Sequence, residues 1–252
     1  MSDDRYVQFL DLPAPIAFAH RGFARDGDEN SLAAFERAVH LGYRYLETDV
    51  RATVDGVPLA FHDAVLDRVT DRRGRVAELP WEYVRQARIA GREPIPLLTD
   101  LLAAWPDVRF NLDVKAAHSI GPIIEAIRRA GAVDRVCVAA FSDARIAAVR
   151  AAFGPRLCTA LGPREAMLLR LPYSRPPLGR CAQVPARVGR LRLLDRGYID
   201  RAHRLGIVVH AWTVNSAVEM RRLLDLGVDG IITDQAETLC QLLRQRGLWP
   251  TT

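Results

Sequence analysis

The sequence predicts an α/β chain folded as one closed (β/α)8 barrel, the TIM barrel, with a short insertion after the second strand. Three observations carry this. Short apolar runs alternate with longer amphipathic segments along the whole chain, which is the pattern of repeated βα units on a parallel sheet. About eight such units fit into 252 residues, as a closed barrel requires. No GxGxxG follows the first strand, so the doubly wound open sheet, the nearest rival, lacks its nucleotide-binding turn.

The elements follow in order. Residues 16–20 form the first strand, and Ser31 is placed to cap a helix with apolar positions at Leu32, Phe35, Ala38 and Val39 that stops at Gly42. Residues 45–50 and 109–115 read as the second and third strands. Between them lies the insertion, about residues 63–96, with a charged turn, a helix near 81–88 and a proline-marked exit. Downstream come a strand at 136–140, a helix at 143–153, a strand at 157–161 and a helix after Pro163. Residues 171–180, rich in proline and arginine, read as a loop leading into a strand at 181–185. A helix at 195–205, a strand at 207–214, a capped helix at 216–226, a strand at 230–233 and a helix at 235–246 complete the chain. No repeat, low-complexity stretch or linker divides it, so residues 1–252 are expected to form a single domain.

With 49% hydrophobic and 26% charged residues, disorder and disulfide-dependent mini-protein scaffolds are excluded. The net charge of +5 is mostly scattered arginine, densest at Arg72, Arg73 and Arg75. Without an aromatic platform or base-reading motif this reads as a solvated face rather than a nucleic-acid stripe, with a mild pull on anionic substrates. The apolar stretches are too short and too often broken by charge for a membrane span, and the N-terminus, with Asp3, Asp4 and Arg5, lacks a signal-peptide layout. The expected location is cytoplasmic. Cys137, Cys158, Cys181 and Cys240 show no CxxC spacing and read as buried small hydrophobes in a reducing compartment.

Strands of a parallel barrel are buried on both faces, so ionised groups inside them are the signal. Side chains alternate along a strand, which puts Glu47 and Asp49 on one face and Leu46 and Thr48 on the other. The same period groups Asn111, Asp113 and Lys115. The first strand ends in His20, followed by Arg21 and Gly22. All lie near the carboxyl ends of their strands, where such barrels carry their active sites. Glu47, Asp49 and Asp113 form an all-oxygen cluster suited to Mg²⁺ or Ca²⁺, and Arg21 and Lys115 suit an anionic group such as phosphate. His20 and His62 are the candidates for proton transfer. His40, His118 and His203 are expected to be solvated, and His210 to fill the barrel. Trp212 serves either as core or as a pocket wall, Glu29, Asn30 and Asn215 either shape loops or support the site, and Asp234 is an N-cap or an ion-pair partner. The insertion is expected to lean over one side of the mouth, with Phe23 and Trp212 as apolar walls.

These residues resemble the glycerophosphodiester phosphodiesterase family from Ala19 almost to the C-terminus. The matching pieces are AHRG from Ala19, EN at Glu29 and Asn30, LETDV from Leu46, FHD from Phe61, DVK from Asp113, WTVN from Trp212 and DGIITD from Asp229. The resemblance implies a (β/α)8 barrel that uses a divalent cation to hydrolyse glycerophosphodiesters to sn-glycerol 3-phosphate and an alcohol. It implies metal ligation by Glu47, Asp49 and Asp113, phosphate contacts from Arg21 and Lys115, and acid and base roles for His20 and His62. The chain departs from the family where it has Asp113 in place of the usual Glu, and where bulky Phe23 follows Gly22. The partner is then a small glycerophosphodiester, with no nucleic acid and no membrane span; oligomeric state is left open. The rival readings are a phospholipase D- or C-like phosphodiesterase acting on intact lipids and a silent phosphodiester-binding barrel.

Overall fold

The computed structural model describes residues 8–11, 13–171, 177–189 and 191–249. The acidic stretch around Asp3 and the middle of the proline-rich loop lie outside the described residues. In chain order the elements are β1 (Ile16–His20), α1 (Leu32–His40), β2 (Tyr45–Ala52), β3 (Pro58–Ala60), α2 (Trp81–Val84), β4 (Arg88–Ile89), β5 (Glu93–Pro94), α3 (Leu98–Ala104), β6 (Arg109–Val114) and α4 (Ile120–Arg129). They continue with β7 (Val136–Ala139), α5 (Asp143–Phe153), β8 (Cys158–Thr159), α6 (Pro163–Leu168), β9 (Cys181–Pro185), β10 (Arg187–Val188), β11 (Leu191–Arg192), α7 (Arg196–Arg204), β12 (Val208–Trp212), α8 (Ala217–Leu226), β13 (Gly230–Thr233) and α9 (Ala236–Gln245).

Eight strands run parallel in the order β8-β7-β6-β2-β1-β13-β12-β9. The ends of that row are joined by the parallel bridge Ala160↔Cys181, with Leu161 N–H donating to Cys181 O at 2.8 Å and Arg180 N–H donating to Thr159 O at 2.8 Å. The result is a nearly closed (β/α)8 barrel, as the alternating pattern requires. β8 has only two residues, so the β8–β9 seam is the thinnest part of the wall. β3 folds back antiparallel on the end of β2.

The strand period sorts the side chains into two cores. Outward residues such as Leu46, Phe110 and Val209 pack under helices, against Phe35, Leu101, Met220 and Leu239. Inward residues Phe18, Tyr45, Cys137, Cys158, Cys181 and Ile232 fill the barrel with Phe9. Tyr45 stands edge-on to Phe9 at 5.2 Å, and its hydroxyl donates to Phe9 O at 2.6 Å, closing the end opposite the strands' carboxyl termini. Each such fully buried side chain contributes roughly 1.5–3 kcal/mol.

Ser31 caps α1, its hydroxyl accepting from Ala34 N–H at 3.1 Å, and Asp195 caps α7 in the same way from Tyr198 N–H at 2.8 Å. The insertion builds a small core in which its Leu66, Val84 and Ile89 pack with Leu59 and Phe61 from the segment just before it. Its helix is shorter than the pattern suggests: α2 ends at Val84, and residues 85–87 leave the helix for the β4–β5 hairpin. Ser216 starts α8 without a side-chain cap. Among the described residues no helix is long and apolar enough to cross a membrane.

Candidate active site

Parallel register assembles the charged mouth. His20 pairs with Glu47 across β1–β2, and Glu47 with Asn111 and Asp49 with Asp113 across β2–β6. The carboxylates that alternate along β2 therefore face the lumen beside that of β6. After β1 the chain turns sharply: Arg21 lies at φ 52° and Gly22 at φ 81°. A Cβ on Gly22 would come within 2.7 Å of the Ala34 carbonyl carbon, so only glycine lets this loop lie against α1. The turn aims Arg21 into the mouth, with Asn30, itself at φ 60°, donating its N–H to Arg21 O at 2.9 Å.

Each carboxylate has a different environment. Asp49 is held at Oδ1 by Lys115 Nζ at 2.7 Å, and at Oδ2 lies 2.9 Å from Arg21 Nε and accepts from Asn30 Nδ2 at 3.2 Å. Burial works against its charge, yet Lys115 and Arg21 win and hold it below the usual aspartate range. Among the described residues no Lys or Arg side chain forms a salt bridge with Glu47: its Oε2 accepts the Arg21 N–H at 3.2 Å and lies 3.7 Å from His20 Nε2. Burial, then the charge of Asp49, pushes its carboxyl up to about 7. Asp113 accepts from Lys115 at 2.6 Å on Oδ2, while its buried Oδ1 has no hydrogen-bond partner among the described residues, and burial raises the carboxyl's pKa despite the lysine.

The two histidines are each steadied by an aspartate. His20 Nδ1 lies 2.6 Å from Asp234 Oδ1, and His62 Nδ1 lies 2.5 Å from Asp63 Oδ1. Burial disfavours a charged His20, but Glu47 and Asp234 outweigh it and raise the ring's pKa. Asn215 donates to Asp234 Oδ2 at 2.7 Å and accepts the Asp234 N–H at 3.0 Å, so Asp234 is an ion-pair partner and not a helix cap. Arg68 clamps Asp63 and Glu29, and Glu29 accepts from Arg21 at 2.9 Å. Arg68, then His62, holds the Asp63 carboxyl down at about 2. Asn30 also accepts from Thr48 at 2.7 Å, fixing which way its amide points at Asp49. Glu29, Asn30 and Asn215 thus join loop shaping to support of the site.

The candidate site residues gathered from the sequence meet at this one mouth. Lys115 bridges Asp49 and Asp113. Phe23 is half-buried, packs on the main hydrophobic cluster and carries Arg25 over its ring at 4.6 Å. Trp212 is half-buried and meets Phe141 edge-on at 5.3 Å, an exposed aromatic that no periodicity singled out. The insertion reaches the mouth through Arg68, which donates to Glu29, while the Arg92 guanidinium lies 3.6 Å from Asp28 in the loop before α1. Arg72 and Arg75 instead bond within the insertion, to Gln86 and Glu78. His40, His118 and His203 are exposed and His210 is fully buried against Phe18, as expected. A second concavity, lined by Pro15, Tyr43, Leu243 and Trp249, lies at the amino ends of β1 and β2 and offers only Arg44 as a charged group.

A barrel that gathers an acidic cluster, two aspartate-held histidines and fixed cations at the carboxyl ends of its strands has the build of a phosphate-ester hydrolase. The chain belongs to the glycerophosphoryl diester phosphodiesterase family, whose sequence profile matches residues 20–238, and is by that membership a phosphoric diester hydrolase. It is 40% identical over 255 residues to the protein named "Probable glycerophosphodiester phosphodiesterase 2" of Mycobacterium tuberculosis (strain ATCC 25618 / H37Rv), covering 96% of both chains. It is 29% identical to a glycerophosphodiester phosphodiesterase of Caldanaerobacter subterraneus subsp. tengcongensis, covering 92% of this chain and 99% of that one. An Oleispira antarctica phosphodiesterase, solved in complex with the product sn-glycerol-3-phosphate, shares the fold at TM-score 0.78 and 20% identity, covering 92% of this chain and 97% of that one. A glycerophosphodiester phosphodiesterase from Agrobacterium tumefaciens str. C58 does so at TM-score 0.75 and 21% identity, covering 89% and 99%.

Proposed function

We propose that this protein hydrolyses small glycerophosphodiesters to sn-glycerol 3-phosphate and an alcohol, with a divalent cation and two-histidine acid–base catalysis. The observation that carries the reading is the placement of His20 and His62, each fixed at Nδ1 by an aspartate, around one carboxylate cluster that also holds Arg21 and Lys115. Its four free thiols fit a reducing compartment such as the cytoplasm.

The donor set fits a hard cation. Glu47 is buried with no guanidinium or ammonium group in salt-bridge contact among the described residues, and Asp113 Oδ1 is an orphaned buried oxygen. Two lone-pair donors are therefore available, both oxygen, as Mg²⁺ and Ca²⁺ prefer. Glu47, Asp113 and Asp49 would hold the ion, Asp49 joining when Lys115 turns from it to the phosphate. The ion would supply charge stabilisation at a nonbridging phosphate oxygen.

The chain's own residues do the rest. Arg21 is held by Glu29 and Asp49, so its guanidinium is pre-set for the phosphate and needs no reorganisation as charge builds up. Lys115 adds a second positive charge from the opposite side of Asp49. With Nδ1 occupied, each imidazole offers Nε2 to the substrate: one ring takes the nucleophile's proton, the other gives a proton to the leaving alkoxide. Asp63 and Asp234 keep both tautomers in place.

Trp212 and Phe141 form an apolar edge on one side of the mouth, and the insertion covers another through Arg68. The glycerol side is then enclosed and the alcohol side left in solvent, so head groups contribute little differential transition-state binding. Measuring kcat/KM on glycerophosphocholine, glycerophosphoethanolamine, glycerophosphoglycerol and a diacyl phospholipid checks this. The deacylated substrates should agree within about tenfold and exceed the diacyl lipid. A ~10³-fold spread among them, about 4 kcal/mol, or preference for the diacyl lipid, would overturn it and favour a phospholipase.

A further inference from the structure

The three inward cysteines that packing alone would treat as small hydrophobes lie on neighbouring strands, Cys137 on β7, Cys158 on β8 and Cys181 on β9. Their sulfurs all lie within 4.8 Å of one another, and Cys137 Sγ is 3.7 Å from Cys181 Sγ. A tetrahedral zinc thiolate, with Zn–S near 2.3 Å, has sulfur–sulfur edges of about 3.8 Å. One edge of the trio already has that length. All three side chains are fully buried, and among the described residues no other three His, Cys, Asp or Glu side chains bring ligand atoms this close together.

A fourth donor lies next to Cys181, just outside that 4.8 Å group, so its ring must move toward the sulfurs to ligate. His210 on β12 is fully buried, lies against Cys181, and its Nε2 has no hydrogen-bond partner among the described residues. Its Nδ1 is 3.5 Å from the Gln183 amide, which forms a reciprocal pair with the Asn111 amide at 2.8 and 3.2 Å. Turning both amides over together preserves that pair and presents Gln183 Oε1 to Nδ1–H, the arrangement that frees Nε2 as a ligand. Gly230 makes room for the ring, since a Cβ there would come within 2.8 Å of His210 Cδ2.

We infer that Cys137, Cys158, Cys181 and His210 form a structural zinc site inside the barrel. The ion has a mechanical role in this location. β8 and β9 are the two ends of the sheet row, joined by the one bridge Ala160↔Cys181. Cys137 and Cys158 lie on one side of that seam, Cys181 and His210 on the other, so one ion ties four strands across the thinnest part of the wall. Binding displaces the three thiol protons to solvent and leaves the site with one net negative charge. Burial pushes the Cys137 and Cys158 thiols up, so the ion itself has to draw off their protons, while hydrogen bonds from both hold the Cys181 thiol down. The site is distinct from the carboxylate mouth in position and in ligand softness: thiolates select zinc where oxygens select Mg²⁺ or Ca²⁺.

Because the donors are buried, the metal enters as the chain folds, and the test uses protein made in the presence of metal. Protein produced in zinc-supplemented medium and dialysed against EDTA should retain about one zinc per chain by elemental analysis. Protein produced with cobalt should show thiolate-to-cobalt charge-transfer absorption, which the all-oxygen mouth cannot give. Both signals should persist in Cys240→Ser and vanish in Cys158→Ser. Folded wild-type protein with neither retained zinc nor the cobalt–thiolate band would overturn the site, as would a band that survives Cys158→Ser. The wild-type spectra decide the matter even if that variant fails to fold.

Discussion

His20→Ala and His62→Ala are each expected to lower kcat on glycerophosphocholine by ~10²-fold or more, about 2.7 kcal/mol of transition-state stabilisation, with a smaller change in KM. Both rings sit at the mouth with Nδ1 bound to an aspartate, so each truncation removes a proton carrier and one partner of its carboxylate. His40→Ala, on the exposed end of α1, should leave kcat unchanged. Full activity in the His62 variant, or loss of activity in the His40 variant, would mean that the proton-transfer residues are wrongly chosen.

Chelation is expected to take turnover to background, with Mg²⁺ or Ca²⁺ restoring it. A ligand that binds only the folded state also stabilises it, by about 2.7 kcal/mol at a hundredfold excess over its Kd, which for a domain of this size is roughly 5–10 °C in Tm. Wild-type protein should show that rise when the cation is added, and Glu47→Gln should lose it. The variant should still fold, because it removes one charge from a buried cluster in which Glu47 is crowded by Asp49 and Asp113. Activity that survives exhaustive chelation would contradict the assignment.

Much of this was legible in the sequence because a parallel barrel makes an ionised strand residue anomalous. Glu47, Asp49 and Asp113 stood out against apolar runs, and the period of two put them on one face, where register places them. What pattern could not carry was pairing at long range. Asp234 meets His20 only because closure brings β13 beside β1, in register from Ile16↔Gly230 to Ala19↔Thr233. The ion pairs that occupy Lys115 likewise depend on β2 and β6 being neighbours.

Two helices escaped for local reasons. α4, which the sequence pattern leaves unassigned, opens with Gly121 and Pro122, and proline in a first turn removes no intrahelical bond; its stripe of Ile123, Ala126 and Ile127 is buried. α3 spans seven residues and starts at Leu97 without a side-chain cap, so only burial of Leu98, Leu101 and Leu102 defines it. The cysteines escaped for the opposite reason. Each sits about one βα unit from the next, a spacing that resembles no local metal motif, and only curvature of the wall brings β7, β8 and β9 around one point.

The central claim, that this mouth cleaves the bond between phosphorus and the alcohol of a glycerophosphodiester, is tested most directly by following glycerophosphocholine with the purified protein by phosphorus NMR. In Mg²⁺ or Ca²⁺ the diester resonance should give way to that of sn-glycerol 3-phosphate as choline is released, and the conversion should stop in EDTA. Release of phosphocholine and glycerol, or no conversion with either cation, would contradict it.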